Sequence, residues 1–128
     1  MNAKYFTKEE LACKHCLKNG RSVDYAYNFD AEALAILDSI RDEVGFPLPV
    51  SSGYRCIDHP VEKGKEHPGE HTLGKAVDIA VSRASAHRLL QVAFAHNVPR
   101  IGVSQKGNER FIHLGWCTKL PNPTVWSY

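Results

Sequence analysis

Three side chains in this sequence of 128 residues have the types and placement to hold one metal ion: His71, Asp78 and His113. Two imidazoles and a carboxylate form a ligand set suited to zinc, with a fourth position left for water. The first two lie in Gly69-Glu70-His71-Thr72-Leu73-Gly74-Lys75-Ala76-Val77-Asp78-Ile79-Ala80-Val81, where a polar loop turns into an apolar strand. A seven-residue separation spans about 10 Å in a helix and about 23 Å in a strand, so neither regular structure lets both reach one small ion. The chain must reverse between them, and Gly74 is the residue that accepts the backbone angles of a reversal. His113 falls in Phe111-Ile112-His113-Leu114, where strand alternation turns Ile112 and Leu114 one way and His113, with Phe111, the other. The plainer alternative stays open on these residues alone: His71 closes a loop, Asp78 is a polar residue on a strand's solvent face, and His113 is structural.

The elements that must position these groups read as follows. Thr7-Lys8-Glu9-Glu10 has the form of a capping box and opens a short helix toward Cys13. Lys14 to Asn28 reads as loop. Asp30 caps a long helix, Ala31 to Val44, with Ala33, Leu37, Ile40 and Val44 on one face, and Gly45 ends it. Leu48 to Ser52 is a short strand, and Cys56 to Glu70 a long loop of the kind that is usually functional in so small a domain. Ala76 to Val81 is an interior strand. Ser82 or Ser85 opens a second long helix that Asn97-Val98-Pro99 stops near His96. Arg100 to Ser104 and Arg110 to Leu114 form a hairpin around Gln105-Lys106-Gly107-Asn108, and Val125-Trp126-Ser127-Tyr128 can add an edge strand. This order predicts an α+β fold with a largely antiparallel sheet and flanking helices, built as a single domain over residues 1–128.

An apolar fraction of 43% and a charged fraction of 23% are those of an ordinary globular protein. The net charge of +2 comes from interspersed charges, with no basic stripe for nucleic acid. No stretch approaches the roughly 20 apolar residues of a membrane span, and Met1 to Glu10 lacks the apolar core of a signal peptide. Synthesis in the cytoplasm is therefore expected. Of the four cysteines, only Cys13 and Cys16 form a C-x-x-C pair; Cys56 and Cys117 are too scattered in sequence to read as a second pair, so reduced or incidentally paired thiols are expected ahead of a structural metal site or a thioredoxin-like redox pair.

The pattern His71-x-x-Gly74-x-Ala76-x-Asp78, preceded by Ser52-Gly53-Tyr54-Arg55 and followed by Ile101-Gly102-Val103 and Phe111-Ile112-His113, resembles the zinc D-Ala-D-Ala carboxypeptidases and the related murein endopeptidases. The resemblance runs from Phe6 to about Trp116 and implies a hedgehog-like fold. It also implies one zinc per chain on His71, Asp78 and His113, with Arg55 facing the substrate. Two departures stand out. Members often have serine two residues before the first histidine and an acidic residue two after the last, where this chain has Gly69 and Gly115. Relatives with a clear catalytic glutamate carry it three residues before the last ligand; here that position is Arg110, and Glu109 is one step earlier.

Zinc held by three protein groups activates water and polarises a carbonyl, so amide hydrolysis is the natural reaction, and a proton carrier must accompany it. Glu109 is the candidate favoured for that role, which requires a bulge after Gly107 to turn it toward the metal; Glu66, His67 and Glu70 are rivals, with His59 behind them. Arg55 suits a substrate carboxylate through its planar fork, or else pairs with Asp58 or Glu62 at the surface. Trp116 is a candidate aromatic wall for the substrate, or a core residue, and Tyr54 a packing residue. The expected function is a zinc peptidase cutting stem or cross-bridge peptides of peptidoglycan, such as a phage or prophage lysis enzyme that reaches the wall through a separate pore. A zinc-containing binding module without catalysis, and a cytosolic D,D-dipeptidase, are the alternatives.

Overall fold

A computed structural model describes residues 4–61, 63 and 69–128. Four helices lead the chain: α1 (Lys8–Leu11), α2 (Lys14–Lys18), α3 (Val23–Ala26) and α4 (Ala31–Val44). Strands β1 (Val50–Ser52) and β2 (Ala76–Ile79) follow, then α5 (Arg83–Ala95), β3 (Arg100–Ser104), β4 (Phe111–Gly115) and β5 (Thr124–Ser127). The strands form one sheet in the order β1-β2-β4-β3-β5. All pairings are antiparallel except that of β5 with β3. The architecture is α+β, as the order of elements predicts.

Local chemistry explains most boundaries. Thr7 and Glu10 form the reciprocal capping box, the Asp30 carboxylate accepts the Ala33 N–H at 2.9 Å, and Gly45 ends α4 at φ 77°. Lys14 to Asn28, expected as loop, instead holds α2 and α3. Both are too short to leave a periodic apolar signature, and α3 is set by Ser22, whose Oγ accepts the Tyr25 N–H at 3.1 Å. The first strand begins at Val50, since Pro49 has no N–H to give to a ladder.

The sheet separates two environments. Val77, Ile79, Ile101, Ile112 and Leu114 are fully buried in one core with Leu34, Leu37 and Ile40 of α4 and Leu89, Val92 and Ala93 of α5. Each of the valine, leucine and isoleucine side chains contributes about 1.5–3 kcal/mol by leaving water. Strand alternation turns the intervening residues, Asp78 and His113, to the opposite face. They are directly paired across β2 and β4, with Gly102 of β3 paired on the other side of His113. Two buried polar groups therefore stand side by side on the most central strands of the sheet.

The reversal before β2 is a tight turn in which Leu73 N–H donates to Glu70 C=O at 3.1 Å and Gly74 N–H to His71 C=O at 3.2 Å. Gly74 takes φ 69°, and its C=O accepts the Asp30 N–H at 2.7 Å, fastening the turn to the start of α4. A Cβ at Gly74 would collide with the Asn28 backbone, whereas one at Gly45, also left-handed, would meet nothing. Gly45→Ala is expected to cost only the left-handed penalty of about 1–2 kcal/mol. Gly74→Ala should cost clearly more, measured as the difference in denaturation midpoint between the two variants, and equal losses would remove the argument from close approach.

Candidate metal centre

His71 enters the site from the turn, Asp78 from β2 and His113 from β4. One donor atom from each lies within 4.8 Å of the other two, and all three residues are buried. The Asp78 Oδ1 is the point of convergence, 2.9 Å from His113 Nδ1 and 3.3 Å from His71 Nε2. The other nitrogen of each ring is already committed. His71 Nδ1 lies 2.7 Å from the Gly53 C=O, and His113 Nε2 lies 2.6 Å from Glu70 Oε2. With those nitrogens donating, His71 Nε2 and His113 Nδ1 are left with lone pairs aimed at the same place, which is how outer partners fix ligating histidines. The donor set and its orientation fit a zinc ion.

Asp78 is also held from behind. Its Oδ2 accepts from Arg55 Nη2 at 3.3 Å, and Arg55 Nε donates to Ser52 Oγ at 2.9 Å. Arg55 thus pairs with the site carboxylate rather than with Asp58, the described one of its two expected surface partners; Glu62 lies outside the described residues. Burial would raise the Asp78 pKa, but the two histidines outweigh it and hold the carboxyl well below the usual range. The same contest decides the neighbours. Burial opposes the charged forms of His113 and Glu70, yet the carboxylates raise the His113 pKa, and His113 with Arg100 lowers that of Glu70.

Glu70 is the residue whose role the sequence leaves undefined. It is 4% exposed, its Oε2 accepts from Arg100 Nε at 3.0 Å, and its Oε1 accepts the Cys117 N–H at 3.4 Å. Its carboxylate lies where the side chain of residue 115 would begin, so a Cβ at Gly115 would overlap it. The acidic group that the resemblance leads one to expect two residues after His113 is thus replaced in space by one that arrives from the turn before His71. The signal for this was the coincidence of Gly115 with a glutamate beside His71, legible only once the strand and turn are seen to touch.

His71, Asp78 and His113 open into a cleft of about 360 Å³. Arg55, Glu70, Arg100, Phe111, Trp126 and Tyr128 line it beside them. A larger depression of about 670 Å³ between Pro47, Ser82 and Arg110 contains no group of ligating side chains among the described residues. Trp116 does not line the cleft; it packs against the main core. The aromatic wall is Trp126 of β5, its ring 5.1 Å from that of His113, with the Arg100 guanidinium 4.9 Å from it on another side. Trp126 comes this close because Gly102 lies beneath it: a Cβ there would meet the indole at 2.7 Å. Glu109 is exposed in the turn between β3 and β4 and lines a neighbouring depression with Ser52, Arg55, Asp78 and Phe111. The pairing of β3 with β4 runs from Arg100 opposite Gly115 to Ser104 opposite Phe111, so Glu109 lies in the connection beyond the paired residues. Of its rivals, Glu66 and His67 lie outside the described residues, and His59 lies near His15 instead, their ring centroids 6.0 Å apart.

The Peptidase M15 family model matches residues 4–115, and the chain belongs to this family of zinc-dependent metallopeptidases. No curated protein sequence shows significant similarity to it.

Two outcomes follow from the Glu70 contact. Glu70→Gln is expected to weaken zinc binding by about 10- to 100-fold, the usual consequence of losing an outer partner of a ligating histidine, and Gly115→Ala to do the same by pushing Glu70 aside. Competition with a fluorescent chelator reads both, and unchanged affinity in both would make the contact incidental. The pKa shifts set the acid and base limits of the metal-free fold. The raised His113 pKa gives stability that is full below the ordinary imidazole value and fades as pH rises through the raised one. The lowered Glu70 and Asp78 values give stability that is full above the ordinary carboxylate range and fades as pH falls through them. Chelator-treated protein should therefore melt highest between about pH 4.5 and about pH 6.5. Zinc, which must displace the His113 proton, should raise the melting temperature more at about pH 8 than at about pH 6.

Proposed function

We propose that the protein is a zinc-dependent peptidase that hydrolyses peptidoglycan stem or cross-bridge peptides, with His71, Asp78 and His113 as the metal ligands. The observation that carries this reading is the convergence of His71 Nε2, Asp78 Oδ1 and His113 Nδ1 at the floor of a cleft, in a chain of the Peptidase M15 family. Zinc bound there would activate water and polarise the scissile carbonyl. The remaining work falls to side chains. Arg55 and Arg100 give the cleft two guanidiniums that suit a peptide bearing a carboxylate. Both are braced, Arg55 by Ser52 and Asp78 and Arg100 by Glu70. Trp126, Phe111 and Tyr128 offer apolar faces to the peptide backbone or sugar.

Glu109 is the proposed proton carrier. Glu70 is engaged by His113, Arg100 and the Cys117 N–H, which makes it a positioning residue, while Glu109 shares a depression with Asp78 and Arg55. Action at the cell wall after release by a phage pore accords with a murein substrate.

Purified murein should be cleaved by the zinc-loaded protein, with activity lost on chelation and restored by zinc. Glu109→Gln should keep its zinc and lose turnover by about 10²- to 10⁴-fold. Cleavage of a D-Ala-D-Ala dipeptide but not of intact sacculi would favour the dipeptidase alternative. A fully zinc-loaded wild type that binds murein without cutting it would replace the peptidase with a binding module.

A further inference from the structure

A second group of metal-type ligands lies apart from the cleft. The Sγ atoms of Cys13, Cys16 and Cys56 are within 4.8 Å of one another, and none of the three is in a disulfide. The fourth cysteine, Cys117, is outside the group. Cys13 precedes the first turn of α2 and Cys16 lies within it, so the spacing brings both thiols to one side of the helix start. Cys56 arrives from the segment after β1, and its N–H donates to Cys13 Sγ at 3.4 Å. Around the thiols is a small apolar cluster of Ala12, Ala26, Leu17 and Tyr54, separate from the main core.

Three sulfurs at this separation fit a metal better than they fit packing alone. Zinc binds thiolates at about 2.3 Å, which places tetrahedral sulfurs about 3.8 Å apart, and a disulfide could join only two of the three. The surroundings show what an ion would fasten. Two backbone segments are already pressed together here, with Tyr54 N–H donating to Leu11 C=O at 2.9 Å and Gly53 too close to the Leu11 backbone to admit a Cβ. Yet α1, α2 and α3 contain 4, 5 and 4 residues, too few to hold a helical conformation without tertiary support. Leu11 ties α1 to the main core, but the small cluster gives α2 and α3 little of that support.

We propose that Cys13, Cys16 and Cys56 hold a structural zinc ion that clips the N-terminal helices to the segment carrying Arg55, so that the protein binds two zinc ions per chain. The fourth position is left to water, since neither His15 nor His59, the histidines of the two segments that supply the thiols, belongs to the group. The clip has a direct route to the cleft. Arg55 precedes Cys56, and its N–H donates to the His71 C=O at 3.1 Å.

The test is metal content and cobalt spectroscopy on the full chain prepared under reducing conditions. Wild type should hold two equivalents of zinc, and the His71→Ala/His113→Ala variant one. Cobalt in that variant should give intense thiolate-to-metal charge-transfer absorption in the near ultraviolet, which a site of nitrogen and oxygen ligands lacks. Cys16→Ser and Cys56→Ser should each lower the count from two to one and abolish that band. Should these variants fail to fold, the wild-type cobalt spectrum and the protection of three thiols from a thiol reagent until chelator is added give the same answer. Absence of the charge-transfer band in cobalt-loaded wild type, or rapid reaction of all four thiols in the zinc-loaded protein, would overturn the proposal while leaving the cleft site untouched. A wild type that holds only one zinc, and keeps it when both histidines are replaced, would sink the cleft assignment and support the clip.

Discussion

One carboxylate sets the terms for the rest of this structure. Asp78 sits 6% exposed on a central strand, where an ionised group without partners would cost several kcal/mol. Its two oxygens are met by two imidazoles and a guanidinium drawn from the turn, β4 and the segment after β1. Each partner is in turn fixed by a group whose main business is elsewhere: His71 by the Gly53 carbonyl, His113 by Glu70, Arg55 by Ser52. The polar face of the sheet is thus one connected network. Its members hold each other in place because none can be buried alone.

The long helices and the turn at Gly74 were legible because their causes are local. The cap at Asp30, the left-handed Gly45 and the apolar face between them delimit α4 as read from sequence. The need for a reversal at Gly74 follows from helix and strand rise alone, and the turn is there at φ 69°. What stayed hidden rests on contacts between distant segments. Nothing in Trp126 itself says that β5 pairs in parallel with β3, which puts its indole over Gly102 and beside His113 while Trp116, nearer His113 in sequence, turns into the core. Cys56 looked scattered for the same reason. The close approach of residues 53–56 to α1 and α2 is a tertiary fact with no periodic or capping signature.

Glu70 shows how an acid expected at one position can be supplied from another. The residue two after His113 is glycine, and the residue before His71 is a glutamate whose carboxylate fills the volume that a side chain at position 115 would take. The histidine receives the same kind of partner from another element. Function was harder to read at this point than fold, since strand alternation constrains which face a residue uses but not which neighbour across the turn fills a gap.

The alternating row of Arg100, Glu70, His113, Asp78 and Arg55 has an electrostatic consequence for encounter with substrate. With neutral imidazoles, its two carboxylates and two guanidiniums cancel, and the cleft as a whole projects little field. A divalent ion would leave it two charges positive, enough to draw an anionic peptide from a distance and to make capture fade as ionic strength shortens the reach of that field. Metal loading would then govern how fast the cleft is found as well as what happens inside it, and the salt dependence of association would report the occupancy of the site.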